Sequence, residues 1–321
     1  MKALCAKITF EASRGREAIV LRKPTSVIVE KSWKMLTDTA IITIARNVRD
    51  FDKQKVRDVF RPGDPVKIEL GYDGEYYEEF VGFISRVSAD IPIKIWCEDA
   101  MWKLKQQPVN ISKPSTTLKA LMDEVVTDYT IDAAEYEIGP ARYPQKTVAL
   151  VLDDLKKRFG FFSYMKGEKL VVGKIYADDT GTPPVDLHLE KQVYSNNLEY
   201  QFADDVIVKV FVESTLSNGK KLKAEVGEDG GDVIRVPHFG IKDEETLKKL
   251  AKVDYDKYKV NRYKGGITTF GIPAIEHGWK VNLSSDLYPD REGLYYVDSI
   301  KVSFGEGYRY ARTATLGDVA Q

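Results

Sequence analysis

Cysteine is nearly absent from this chain: Cys5 and Cys97 are the only two in 321 residues, and no Cys-x-x-Cys occurs. Two thiols build neither a disulfide scaffold nor a four-ligand zinc site. Both stand in predicted strands, where they read as small buried hydrophobes. Histidine is almost as scarce, with His188, His238 and His277 alone. They share no His-x-x-x-His spacing, so a metal site would have to assemble wholly in three dimensions, and each reads as a surface or turn histidine. An excess of one charge is also missing, since 48 basic residues stand against 49 acidic ones for a formal net of −1. That balance argues against a domain whose affinity comes from neutralising phosphates, while leaving room for a local basic patch. No apolar run approaches the roughly 18 residues of a membrane span. The apolar stretch Ala3-Leu4-Cys5-Ala6 is too short for a signal-peptide core, which predicts assembly in the cytoplasm and no stable membrane association.

The motifs of common chemistries are missing too. There is no Gly-x-Ser-x-Gly and no phosphate-binding Walker loop, and nothing in the sequence near Cys97 would lower its pKa. Gly227-Glu228-Asp229-Gly230-Gly231 is acidic and would repel phosphate, so it reads as a mobile loop tip. Carboxylates are adjacent at Asp153-Asp154, Asp178-Asp179 and Asp204-Asp205. Neighbours on a helix or strand point apart, so these read as solvated surface charge, and no pair flanks one bond by itself. No catalytic residue, metal ligand or cofactor-binding residue is assigned. An enzyme built on dispersed carboxylates stays formally open.

What is present is an ordinary globular composition, 43% hydrophobic and 30% charged, long enough for two or three domains. The expected fold class is mainly β with an α+β insert. Residues 1–100 read as β-branched strands, with Asp73-Gly74 as a hairpin turn and Pro92 at a strand start. Residues 101–185 read as an α+β module. Ser115 or Thr116 caps a helix running to Tyr129, Thr147 caps a second that stops at Gly160, and a hairpin turns at Lys166-Gly167-Glu168. A turn-rich linker follows at Asp178-Asp179-Thr180-Gly181-Thr182-Pro183-Pro184. Residues 186–321 read as strands again, with a hairpin at Ser217-Asn218-Gly219-Lys220 and one amphipathic helix from Asp243 to about Arg262.

One pattern occurs twice. Phe60-Arg61-Pro62-Gly63-Asp64-Pro65-Val66-Lys67-Ile68 aligns with Ile275-Glu276-His277-Gly278-Trp279-Lys280-Val281-Asn282-Leu283. The constant offset superposes Gly63 on Gly278, Val66 on Val281, Ile68 on Leu283, Phe80 on Tyr295 and Val87 on Val302. Each copy is a turn, an alternating strand, a loop and a long alternating strand, the grammar of an antiparallel barrel or sandwich. Duplication of a small β unit suggests a part that repeats around an axis, the alternative being coincidence between two β-rich segments. Tyr72, Tyr76 and Tyr77 cluster in one copy, and Tyr288, Tyr295 and Tyr296 in the other. Such aromatics suit a subunit interface or stack on sugars, and the second use defines a rival reading, a carbohydrate-binding module of a tail or cell-surface protein.

Phe60 to Ile68, followed by Phe80-Val81-Gly82-Phe83-Ile84, resembles the first barrel of phage tail baseplate hub proteins, the late control protein D family, whose fold also heads type VI secretion spikes. Leu152-Asp153-Asp154-Leu155-Lys156-Lys157-Arg158-Phe159-Gly160-Phe161-Phe162 is similar to that family's α+β insert. Gly293-Leu294-Tyr295-Tyr296-Val297-Asp298-Ser299-Ile300, Ser303-Phe304-Gly305 and Thr313-Ala314-Thr315-Leu316-Gly317 are similar to its second barrel. The resemblance implies two tail-tube-like β-barrels flanking the insert. It also implies a non-enzymatic homotrimer whose pseudo-sixfold ring joins a tail tube protein to a threefold spike protein. The chain would belong to a virion or phage-like particle, from a phage, a prophage or another contractile injection system. DNA could pass its channel without specific nucleic-acid recognition. No spike or lysozyme domain is expected within this chain, so the spike would be a separate protein.

Overall fold

The computed structural model describes residues 2–45, 59–88, 91–176, 182–216, 220–239, 241–305, 307 and 309–320. Asp178-Asp179, the linker from Asp178 to Gly181 and the turn Ser217-Asn218-Gly219 lie outside the described residues.

The first segment holds β1 (Leu4–Phe10), β2 (Ile19–Leu21), β3 (Ser26–Ser32), β4 (Thr39–Ile44), β5 (Pro65–Tyr72), β6 (Glu75–Val87) and β7 (Ile93–Glu98). These strands form where β-branched residues alternate with polar ones, because a period of two buries every second side chain on one sheet face. In β5, Val66, Ile68 and Leu70 point inward while Lys67 and Glu69 stay partly wet. Asp73 and Gly74 both have positive φ, 54° and 90°, and so turn β5 tightly into β6.

The middle segment holds α1 (Met101–Leu104), β8 (Pro108–Thr117), α2 (Leu118–Val125), β9 (Thr130–Ala133), β10 (Glu137–Thr147), α3 (Val148–Phe159), β11 (Ser163–Lys166) and β12 (Lys169–Val172). Its apolar core is its own, formed by side chains such as Leu121, Leu152, Leu155 and Leu170. α3 begins after Thr147 and ends at Gly160, whose φ of 74° closes the helix with a bond to the Lys156 carbonyl. α2 departs from the sequence expectation at both ends. Ser115 and Thr116 belong to β8, and the cap is Thr117, whose hydroxyl accepts from the Ala120 N–H. The helix stops at Val125 rather than Tyr129, where Val126 turns extended within a β-branched run. The long β8–β10 ribbon carries no simple alternation, with three register shifts along it, and periodicity did not reveal it.

The last segment holds β13 (Val185–His188), β14 (Val193–Asn196), β15 (Glu199–Gln201), β16 (Val208–Thr215), β17 (Lys221–Gly227), β18 (Asp232–Phe239), α4 (Glu244–Tyr258), β19 (Arg262–Lys264), β20 (Gly266–Phe270), β21 (Lys280–Ser284), β22 (Gly293–Phe304) and β23 (Tyr310–Val319). β16, β17 and β18 make a separate three-stranded sheet, on which α4 lays Leu247, Ala251 and Tyr255 to form a small core. Asp243 caps α4, and the helix ends at Tyr258, so Arg262 lies in β19 beyond it. The acidic segment Gly227–Gly231 connects β17 to β18 with its two end glycines set close against the backbone at the start of β16. A Cβ on Gly227 would meet the Val208 carbonyl at 2.1 Å, and one on Gly231 would meet that of Ile207 at 1.8 Å.

The main sheet runs β14-β20-β23-β22-β3-β4-β7-β6-β5-β1-β2, with β21 and β13 added beside β22. It joins both ends of the chain over one continuous apolar core that reaches from Ile8 and Phe10 to Val302 and Leu316.

Candidate functional site: the joint between the two ends

The strand order of the main sheet contains one four-strand series twice in tandem. β14-β20-β23-β22 is followed by β3-β4-β7-β6, and every pairing along the path is antiparallel. β5 and β6 in one copy correspond to β21 and β22 in the other, the strands that carry the sequence repeat. The turns before them match in detail. Gly63 and Gly278 both have positive φ, 92° and 79°. The Gly63 N–H donates to the Ile84 carbonyl and the Ile84 N–H to that of Asp64, while the Gly278 N–H donates to Val297 and the Val297 N–H to Trp279. The hydrogen-bonded strand positions differ by two residues from the sequence alignment. Val66 faces Gly82, whereas Val281 faces Tyr295. A shift of two preserves which face is buried, and Val66, Ile68, Phe80, Val281, Leu283, Tyr295 and Val302 all lie in the shared core. Val87 is partly buried against it.

The copies meet where β3 pairs with β22, from Val27 opposite Phe304 to Ser32 opposite Ser299. Side chains from both ends converge on this joint. Register slips in β6 between Phe80 and Glu78, leaving Glu79 as an extra residue. Such a bulge re-aims a side chain, and Glu79 is buried next to the equally buried Phe80. Its carboxylate meets Arg312 of β23 and accepts a short hydrogen bond from the Tyr310 hydroxyl. Arg312 also donates to the Ile275 carbonyl at 3.0 Å and the Gly271 carbonyl at 3.3 Å. Burial raises the Glu79 pKa, with Arg312 opposing it. Burial likewise disfavours the charge on Arg312, but the carboxylate beside it holds the guanidinium protonated. Around this pair, Lys31 bridges to Glu276 at 2.9 Å and the Tyr77 hydroxyl donates to the same carboxylate at 3.2 Å. Trp33, Lys34 and Tyr176 all donate to Asp298, at 2.9, 2.8 and 2.6 Å. The Ser32 hydroxyl donates to the Asp298 carbonyl, while Glu79 Oε2 and Arg312 Nε are buried without a hydrogen-bond partner among the described residues.

The candidate interface aromatics divide. Tyr295 is core, 2% exposed, and its hydroxyl accepts from the Tyr263 N–H. Tyr296 stacks on Tyr176 at 4.1 Å between ring centres, Tyr72 packs on Tyr310, and Tyr77 is held by Glu276, so all three serve contacts within the chain. Only Tyr76 and Tyr288 are well exposed, each with an arginine beside it, Arg22 and Arg291.

Beside the joint sits a buried titratable group of three. Asp38 accepts from the Ser32 N–H, and Asp99 accepts from the N–H groups of Met101 and of Asp38, so Asp38 closes a local turn while Asp99 also ties that turn to the segment after β7. Burial raises Asp38 well above the usual carboxylate range, with Asp99 adding to it, and burial pushes Asp99 up to about 7. His277 lies in a turn, as expected, but is buried; its Nε2 is 3.8 Å from Asp38, and burial pushes its pKa down to about 4. The raised carboxyl and the depressed imidazole act in opposite senses on stability. Asp99 gives stability that is full below its unfolded pKa and lost as pH rises through about 7. His277 gives stability that is full above its unfolded pKa and lost as pH falls through about 4. Between pH ~4 and ~6.5 the two slopes, each up to about 1.4 kcal/mol per pH unit, cancel in part. Asp99→Asn should therefore lose stability more steeply than the parent on acidification from pH ~6.5 to ~4, as read by urea unfolding at a series of pH values. An unchanged slope would refute the assignment.

The remaining ionisable clusters are neutralised locally. Asp153 and Asp154 pair with Lys157 and Arg158, and Asp204 and Asp205 lie in an exposed turn. His238 contacts Asp254 at 2.7 Å. His188, Glu190 and Asp286 stand close enough to share an ion, but the Lys191 ammonium sits 2.9 Å from His188 and 3.1 Å from Asp286, in the place a cation would take. Cys97 is buried, which pushes its thiol pKa up and leaves it inert, whereas Cys5 is half-buried. Among the described residues, no helix is long and apolar enough to cross a membrane.

No protein-family model matches the sequence, and no curated protein matches it as a relative. Solved structures do match the fold. A tail protein from Neisseria meningitidis MC58 superposes with a TM-score of 0.63 at 13% identity, over 98% of this chain and 96% of that one. The 43 kDa tail protein of prophage MuSo2 from Shewanella oneidensis gives 0.64 at 15% identity, over 97% and 98%. The E. coli c3393 protein gives 0.56 at 11% identity, over 92% and 73%; it is described as a component of the type VI secretion system with structural similarity to T4 tail proteins gp27 and gp5. The chain shares the fold of these tail proteins over nearly its whole length.

Proposed function

We propose that this chain is the central hub of a phage-like tail baseplate, a non-enzymatic homotrimer with pseudo-sixfold symmetry that joins a tail tube protein to a threefold spike. The observation that carries this reading is the β3–β22 joint together with its two unfilled equivalents. β14 occupies in one copy the place that β3 holds in the other, and among the described residues no strand pairs with its outer edge. β6 corresponds to β22, yet beyond Ile84 no described strand lies where β3 lies against β22. Among the described residues, one chain thus has one completed joint, one free β14 edge and one free β6 edge. Repeating the internal contact between chains is a heterologous interface, and such an interface closes a ring when its rotation divides the circle. Three chains of two copies each make six similar units, a surface suited to a sixfold tube on one side and a threefold spike on the other. Closure would also cover edges that otherwise invite aggregation. The insert would decorate the outside of the ring, within a virion or phage-like particle.

Asn196→Pro tests the edge. The Asn197 N–H is donated to the Gly266 carbonyl, so along the strand the N–H of Asn196 turns outward. Proline there is tolerable in a free edge but cannot donate to a new neighbour. The variant should keep the parent's unfolding midpoint and fail to enter rings seen by negative stain. Rings formed as readily as by the parent would contradict the proposed interface.

A further inference from the structure

A cleft of about 600 Å³ opens between β6, the start of α1 and the turn joining β11 to β12. Its walls are acidic. Glu78, Glu79, Asp128 and Glu168 line it in addition to the backbone-bound Asp38 and Asp99, against Lys31 and Lys103; Glu78 is paired with Lys67 at 2.8 Å and Glu79 with Arg312, which leaves Asp128 and Glu168 as the acids without a counter-charge among the described residues. Lys31 is engaged by Glu276, and the Lys103 ammonium lies over the Phe83 ring at 4.7 Å. Asp128 and Glu168 are exposed and make no ion pair among the described residues. Glu79 is 0% exposed, and although its Oε1 is held by Arg312 and Tyr310, its Oε2 has no hydrogen-bond partner among the described residues. A buried carboxylate oxygen without a donor is costly.

The cleft also exposes backbone. Glu78 to Phe83 line it consecutively. Among the described residues, the strand from Glu75 to Val81 is paired with β5 alone, since β7 joins β6 only from Phe83 onward and the Glu98 carbonyl already lies against Gly82. Val81, at the end of this open edge, is 54% exposed. An unpaired strand edge takes up an extended peptide by adding it as a further strand. A bare metal ion suits the cleft poorly, because the space is far larger than an ion and two lysines share its lining.

We propose that the cleft receives a lysine or arginine side chain carried on an extended segment of a partner protein, which adds a strand to the open edge of β6 and sets its cation against Asp128 and Glu168. The interaction needs only one copy of this chain and is independent of ring formation.

The test is calorimetric titration of the full chain with blocked Thr-Val-Lys-Val-Thr and with the same peptide carrying norleucine in place of lysine. The lysine peptide should bind at least about tenfold more tightly, the scale of one charge-assisted hydrogen bond. Asp128→Asn with Glu168→Gln, both exposed and harmless to the fold, should remove most of that preference, and Val81→Lys should abolish binding of both peptides. Equal affinities for the two peptides would overturn the proposal. So would no binding by either at millimolar concentration, or a lysine preference unchanged in the double variant. Displacement of the peptide by calcium chloride acting on the same residues would overturn it in favour of a divalent-cation site.

Discussion

Arg312→Met is expected to lower the free energy of unfolding by about 3–5 kcal/mol, because it leaves the buried Glu79 carboxylate without its counter-charge. Arg312 and Glu79 are both fully buried, and they come from opposite ends of the sequence. Desolvating two ions is repaid only while both are present, so removal of one is far worse than removal of both. Arg312→Met combined with Glu79→Leu should therefore recover most of the loss. Lys301→Ala provides the contrast: its ion pair with Glu30 also bridges the joint, at 2.9 Å, but its side chain is 52% exposed. That change should alter stability by less than about 1 kcal/mol. Urea unfolding of the four proteins checks the ordering. A single Arg312→Met variant as stable as the parent would remove Glu79 and Arg312 from any role in holding the ends together.

The second large effect concerns the repeat. Ile68 and Leu283 occupy matching positions in the two copies and are 0% and 1% exposed in one core. Ile68→Ala and Leu283→Ala should each destabilise by about 2–5 kcal/mol through lost burial and the cavity left behind. Because both ends share that core, either change should shift a single transition of the main sheet, whichever copy is mutated. The insert has its own core, and its unfolding can be followed separately through hydrogen exchange of the α3 backbone amides. Two separable transitions for the two ends, each sensitive to only one of the substitutions, would contradict a shared core.

Much of this architecture was legible in the sequence. The alternation in β5 and β22, the turn at Asp73-Gly74, the α3 stripe from Val148 to Phe159 and its stop at Gly160 all follow from local rules, and the structure keeps them. The repeat was visible as well, since a turn glycine and an inward-facing strand leave a sequence trace. The joint was not. Pairing of β3 with β22 links residues at opposite ends of the chain, and register between distant strands has no local signature. Nothing local marks the second acid of Glu78-Glu79 as buried; only the bulge, which depends on the pairing with β5, turns it inward. β18 escaped notice because Asp232 to Phe239 pairs parallel to β16 and packs under a helix, a tertiary arrangement rather than a pattern. The tyrosines misled in part, since alternation sends Tyr295 inward while its neighbour Tyr296 reaches Tyr176.

The central claim is that the contact between β3 and β22 within one chain is repeated between chains by β14 and β6. Electron cryomicroscopy of the particle assembled around this protein tests it most directly. The account predicts a ring of three copies in which each β14 pairs antiparallel with β6 of the next chain beyond Ile84, giving six similar β units about one axis. A ring of six copies, or one of three copies whose β14 and β6 edges stay unpaired, would contradict it.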